Sequence, residues 1–140
     1  MKRDDSISEF IRCVLNGDLY GIWKACKSGV DVNAVFCENG ATAATIACIG
    51  GDEEVLEYLC DNKFVDINKG DSMGMTPCMH AVIHNQIGCL MILWRYGVDI
   101  EVKDVDGRTV LDYVILDEDI SQSTVDVVLE MYQAGVVSNV

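Results

Sequence analysis

The only two histidines, His80 and His84, stand four residues apart, a spacing that puts two imidazoles on one helix face, as zinc sites often do. Zinc needs further cysteine, histidine or carboxylate ligands converging on the pair. Cys78 is close in sequence but faces a different direction from His80. His80 is therefore read as packing on the helix surface and His84 as lying at the helix end beside a groove, with no metal and no cofactor. Seven cysteines (Cys13, Cys26, Cys37, Cys48, Cys60, Cys78, Cys89) suggest a second chemistry, a thiol nucleophile. Such a thiol needs a neighbouring base or an electropositive setting. This 140-residue chain instead carries 23 Asp and Glu against ten Lys and Arg, a net charge of −13 that raises thiol pKa values. The cysteine count is odd, no pair is spaced CxxC, and most lie in apolar stretches, so they read as buried, reduced thiols of an intracellular protein. Cys37, near a predicted hairpin tip, is the exception. Asp104-Val105-Asp106-Gly107 resembles the opening of a calcium loop, but the third acidic ligand and the terminal Glu are out of place. It is read as a hairpin tip. The glycines are too dispersed to cradle a phosphate, and the carboxylates fall on predicted solvent faces. An enzyme with a small-molecule substrate is not expected.

The acidic balance also bears on partners. Phosphate backbones and anionic headgroups repel such a chain, which disfavours nucleic acid and membrane surfaces. The longest strongly apolar run, Cys89 to Trp94, is far below the ~20 residues of a membrane helix, and the first residues lack the apolar stretch of a signal peptide. The expected partner is a protein with a basic or mixed apolar and basic surface. The expected location is the cytoplasm, with the nucleus also open.

The elements that must position these residues follow a repeat. Gly40-Ala41-Thr42-Ala43 recurs as Gly74-Met75-Thr76-Pro77 and as Gly107-Arg108-Thr109-Val110, with the threonines 34 and 33 residues apart. In parallel run Gly29-Val30-Asp31-Val32-Asn33, Val65-Asp66-Ile67-Asn68 and Gly97-Val98-Asp99-Ile100-Glu101. Each Thr precedes an apolar run and suits a helix N-cap, and Pro77 sits at the first helical position, where its missing N–H costs nothing. Small residues on the first helix (Cys13, Ala44, Ala47, Ala81) allow close packing. Turns follow at Asn16-Gly17, Gly50-Gly51 and His84-Asn85, then a second apolar-periodic helix, ended by Gly29, Gly97 and Gly135.

A unit of this length, made of a turn, two antiparallel helices and an extended connector, resembles the ankyrin repeat. Gly74-Met75-Thr76-Pro77-Cys78-Met79-His80-Ala81 is similar to the first half of that family's signature, and Gly29-Val30-Asp31-Val32-Asn33 to the second. The resemblance implies an all-α solenoid, a single domain over 1–140 with repeats near 4–36, 37–70, 71–103 and 104–137. There are departures. The family's His three residues after the Thr is Ile11, Thr45, Met79 and Asp112 here, so the usual Thr–His tie is missing; Asp112 is placed to make a capping-box contact instead. Repeat two has an extra residue around Lys63-Phe64, and repeat four an acidic insertion at Asp117–Ser121, either a decoration or a contact loop.

The resemblance also implies a binding face on the hairpin tips and the inner side of the first helices. In repeat two these positions are Glu38, Asn39, Ala41 and Ile49. Repeat three contributes Ser72, Met73, Met75, Ile83 and His84. Lys103, Val105, Asp106, Arg108 and Leu116 complete the set in repeat four. Adaptable methionines at a tip suit a binding surface. The implied function is a non-enzymatic adaptor, scaffold or competitive inhibitor acting by binding alone. The alternative is a structural subunit of a larger assembly, cytoskeletal or respiratory.

Overall fold

The computed structural model describes residues 3–36 and 38–138, and among them every regular element is helical. The helices are α1 (Arg3–Asn16), α2 (Leu19–Lys27), α3 (Ala43–Gly50), α4 (Glu53–Cys60), α5 (Pro77–Ile83), α6 (Ile87–Arg95), α7 (Val110–Leu116) and α8 (Gln122–Ser138). Consecutive helices pair, α1 with α2 through α7 with α8. The first helices pack in a row, α1 on α3 on α5 on α7, and α4, α6 and α8 form a second row behind them. The fold is the all-α stack that the repeat pattern implies.

Local chemistry explains the starts. Thr42, Thr76 and Thr109 hold extended backbone and accept from the N–H of Thr45, Met79 and Asp112 at 3.3, 3.3 and 3.4 Å. Asp112 also returns a contact, its Oδ2 accepting from the Thr109 N–H at 2.9 Å. In α5 the Met79 sulfur takes that place, at 3.5 Å from the Thr76 nitrogen. The second helices begin at Asp18 and Asp52, whose carboxylates accept from Gly21 and Val55 N–H.

Large apolar side chains (Phe10, Ile22, Leu56, Leu59, Leu90, Leu93, Val128) fill the space between the rows. Small residues on α3 and α5, including Ala44, Ala47, Cys48, Cys78 and Ala81, are buried where those helices meet. The connectors are stitched across repeats by asparagine. Asn33 Oδ1 accepts from Asp66 N–H at 2.7 Å, and Asn68 Oδ1 from Asp99 N–H at 2.9 Å. The extra residue of repeat two is absorbed by a turn on Asn62, whose Oδ1 takes the Phe64 N–H at 2.9 Å.

One helix end differs from expectation. Gly29 and Gly97 follow their helices with positive φ, but Gly135 lies inside α8, which continues to Ser138. A glycine within a helix costs only about 1 kcal/mol relative to alanine and does not stop it alone. The acidic insertion is tied back to repeat three. Asn85, the one non-glycine residue with positive φ among those described, donates to the Asp119 carbonyl at 3.2 Å. Its Oδ1 accepts from Ser121 N–H at 2.7 Å and Thr124 Oγ1 at 3.0 Å. The turn of repeat three thereby anchors the start of α8, and Ile120 is buried under the loop.

Candidate protein-binding surface

Tips two, three and four are joined in turn through their backbones. Ser72 N–H donates to the Asn39 carbonyl at 2.8 Å, and Val105 N–H to the Met73 carbonyl at 3.0 Å. Both approaches depend on glycine. A Cβ on Gly40 would lie 2.9 Å from the Ser72 nitrogen, and one on Gly74 2.9 Å from the Val105 nitrogen, each at φ +73. Gly107, on the last tip, would meet nothing within 4 Å.

An aspartate organises tips three and four in the same way. Asp71 Oδ1 accepts from the Met73 and Met75 N–H groups at 2.9 and 3.0 Å. Asp104 Oδ1 accepts from Asp106 and Arg108 N–H, both at 2.9 Å. The second oxygen of each meets the adjoining first helix: Asp71 Oδ2 lies 2.9 Å from His80 Nε2, and Asp104 Oδ2 accepts from the Tyr113 hydroxyl. Burial alone would raise the Asp104 pKa, but the Tyr113 hydroxyl and the Arg108 and Asp106 N–H groups outweigh it and hold the carboxyl low. Tyr113 moves the other way, pushed up to about 12 by burial and by its bond to the carboxylate. The Asp-Val-Asp-Gly segment is therefore a closed tip, with its first aspartate already satisfied.

His80 departs from the sequence reading. Its imidazole is tucked against Asp71, 14% exposed, and not spread on the helix surface. It stacks on His84 with centroids 6.3 Å apart, and among the described residues no group of three or more His, Cys, Asp or Glu is arranged to hold a metal. The thiols of Cys13, Cys48, Cys60, Cys78 and Cys89 are buried and Cys26 is half-buried; Cys37 lies outside the described residues. Burial pushes Cys60 up to about 11 and Cys78 up to about 12.

The tip positions named from the sequence divide by exposure. Glu38, Asn39, Ser72, Met73, Lys103, Val105, Asp106 and Arg108 are exposed, with Met73 at 54% and Val105 at 61%. Met75 is half-buried and packs against the core. Ala41 is buried: the chain turns inward there toward the Thr42 cap, so its methyl is not offered to a partner. On the first helices, Ile49, His84 and Leu116 are exposed and Ile83 is half-buried. Two features escaped the sequence reading. Leu15, 65% exposed, occupies the position of Ile49, Ile83 and Leu116 one repeat earlier, and counting back one period would have found it. Val35 and Phe36, each 45% exposed, flank tip two; the signal was two adjacent apolar residues running into a turn.

Exposed on the tips are apolar atoms of Phe36, Met73 and Val105 together with carboxylates and cations, and a row of exposed aliphatic residues stands about 10 Å further along the first helices. Apolar atoms mixed with charged groups are common at protein interfaces, and here they are carried on a stack of helix pairs. A family model described as ankyrin repeats in three copies matches residues 10–104. The chain belongs to the ankyrin-repeat family, whose stacks are protein-interaction modules. It is 31% identical over 110 residues to the E3 ubiquitin-protein ligase Ufd4 of Drosophila melanogaster, covering 78% of this chain and 4% of that protein. It is 33% identical over 97 residues to the Inhibitor of Bruton tyrosine kinase of Xenopus laevis, covering 67% of this chain and 7% of that one. A third relative, Ankyrin repeat and SAM domain-containing protein 6 of Rattus norvegicus, is 32% identical over 79 residues, 56% of this chain and 9% of its own length. The chain thus spans less than a tenth of these relatives. Among the described residues no helix is long and apolar enough to cross a membrane.

Proposed function

We propose that this chain is a non-enzymatic adaptor, scaffold or competitive inhibitor that grips one protein partner across its tips and the adjoining faces of the first helices. The observation that carries the reading is the backbone-linked pair of tips three and four, where Met73 and Val105 stand exposed beside Asp106 and Arg108. With a net charge of −13, the partner that fits is basic, or apolar with a basic margin. The relative named as an inhibitor of a tyrosine kinase is in keeping with a blocking role. The six free cysteines among the described residues favour a reducing compartment, the cytoplasm or nucleus.

The test is affinity capture with mass spectrometry, followed by titration of the partner found. Met73→Ala with Arg108→Ala should weaken binding by about tenfold or more, as loss of central anchors does, with an unchanged melting temperature. Met75 is left intact because it packs against the core. The control pair is Glu54→Ala with Lys24→Ala, on the exposed sides of the second helices. Glu57 is avoided because it pairs with Arg95. Binding lost in the control pair and kept in the tip pair overturns the tip-face reading.

A further inference from the structure

His80 and Tyr113 occupy the same place in successive repeats, four residues after the capping threonines Thr76 and Thr109. Each reaches back to the aspartate five residues before that threonine, Asp71 or Asp104. A carboxylate can only accept, so the imidazole Nε2–H and the phenol O–H are the donors. The pattern is the same though the side chains differ in chemistry. One carboxylate oxygen holds two N–H groups of the tip, and the other is held from the first helix.

Repeat two lacks both ends of this device. Four residues after Thr42 stands Ile46, with no polar atom on its side chain, and five before it stands Cys37, with no carboxylate. In its tip the Phe36 N–H donates to the Ala41 carbonyl at 3.1 Å, where in tips three and four the Asp71 and Asp104 N–H groups donate to the Met75 and Arg108 carbonyls. Asn39 Oδ1, a neutral acceptor within the tip itself, takes the Ala41 N–H at 3.0 Å.

We propose that His80 and Tyr113 are positioning residues that lock tips three and four, through Asp71 and Asp104, into one preset platform, while tip two is left to adapt to whatever the platform binds. The Val105-to-Met73 backbone bond joins the two locked tips, so they present Met73, Val105, Asp106 and Arg108 in a fixed relation. A preset surface loses less freedom on binding than a mobile one. Held tips therefore supply affinity and register, and the looser tip supplies tolerance. The consequence for binding rests on the interaction reading above; the locking itself does not.

The experiment reads amide hydrogen exchange by NMR in the free chain, and partner affinity separately. Tyr113→Phe removes one hydroxyl and keeps the ring. It should speed exchange at Asp106 and Arg108 about tenfold, the scale of one charge-assisted hydrogen bond, while Met73 and the core amides of Leu90 and Leu93 stay as they were. His80→Leu should do the same at Met73 and Met75, and His80→Tyr, which copies repeat four, should restore slow exchange there. Unchanged exchange at Asp106 and Arg108 in a folded Tyr113→Phe chain overturns the proposal. So does His80→Tyr exchanging as fast as His80→Leu. Faster tip exchange with unaltered partner affinity leaves the locking in place and rejects the tip-face reading instead.

Discussion

Tip four is held by a phenol and tip three by an imidazole, each against the outer oxygen of an aspartate that already ties two backbone N–H groups, whereas repeat two carries Cys37 and Ile46 at those positions and the neutral amide of Asn39 accepts from the Ala41 N–H. All three sit on the same helix-pair scaffold, with the same threonine cap at the same distance. The difference lies in two side chains per repeat. A shared period thus specifies where a tip stands; how firmly it stands is decided by residues the period does not constrain. In a stack whose units contact mainly their neighbours, rigidity can be set tip by tip without disturbing the core.

The largest expected effect separates an inner tip from the last one. Gly74→Ala forces an L-residue into left-handed backbone and drives a methyl against the Val105 nitrogen, an atom of the neighbouring backbone that cannot rotate away. It should cost about 2–4 kcal/mol in a urea melt, from conformational strain plus overpacking. Gly107→Ala carries only the strain, about 1–2 kcal/mol, because its Cβ would meet nothing within 4 Å. Equal losses at the two glycines would mean that the tips are not in register contact.

A smaller effect tests the locked pair of tip four through pH. Tyr113 titrates near 10 in an unfolded chain and is pushed up to about 12 in the folded one. The folded state then holds more protons than the unfolded state between those values. Its contribution is fully present below about pH 10 and is lost as pH rises toward 12. Cys60 and Cys78, also raised, act in the same direction from their lower starting point. Tyr113→Phe should cost about 1–2 kcal/mol at neutral pH and flatten part of the alkaline fall between pH 10 and 12, leaving the share of the cysteines and of Tyr96, which its bond to Asp61 also raises. Asp104 has the opposite sign. Its carboxyl is held low, so its contribution is present above about pH 4 and fades as pH falls through the folded-state pKa. Without the hydroxyl, that fading should begin at a higher pH. An alkaline limb identical in wild type and variant would show that the phenol does not hold the tip.

Much of this was legible in the sequence and the rest was not, for identifiable reasons. The threonine and Asp-x-Asn tracks gave the period, and the period gave the helix pairs, because caps and turns are local. Asp112 as a capping partner was readable for the same reason, lying three residues from its threonine. His80 was misread because its partner is nine residues away across a turn, a contact visible only once the tip folds back. Its equivalence to Tyr113 was available from the period, yet an imidazole and a phenol do not look alike until both are seen against an aspartate. The place of Ala41 in the motif points to an exposed tip residue, but burial depends on where the connector turns inward, which no spacing records. Gly135 looked like a helix end because glycine usually marks one, although nothing turns the chain there. The role of Asn85 in anchoring the insertion rests on a pairing 34 residues long, to Asp119, outside the reach of local pattern.

The smallest expected effect would convert one tip toward the other kind. Cys37 stands in the register of Asp71 and Asp104, so Cys37→Asp offers repeat two the missing carboxylate while leaving Ile46, which packs against the core, untouched. In the locked tips the carboxylate accepts from residues two and four further on, which in repeat two are Asn39 and Ala41. Ala41 N–H already has an acceptor in Asn39 Oδ1, so little should change there. Exchange at Asn39 should slow by no more than about threefold, less than a full charge-assisted bond gives, because Ile46 offers the second oxygen no polar atom. Stability should move by less than about 0.5 kcal/mol, the range of most surface changes. If Asn39 slows as much as Met73 exchanges slowly in tip three, the aspartate alone sets a tip and His80 and Tyr113 are dispensable. If it slows only slightly, the contact from the first helix is what separates a held tip from a loose one.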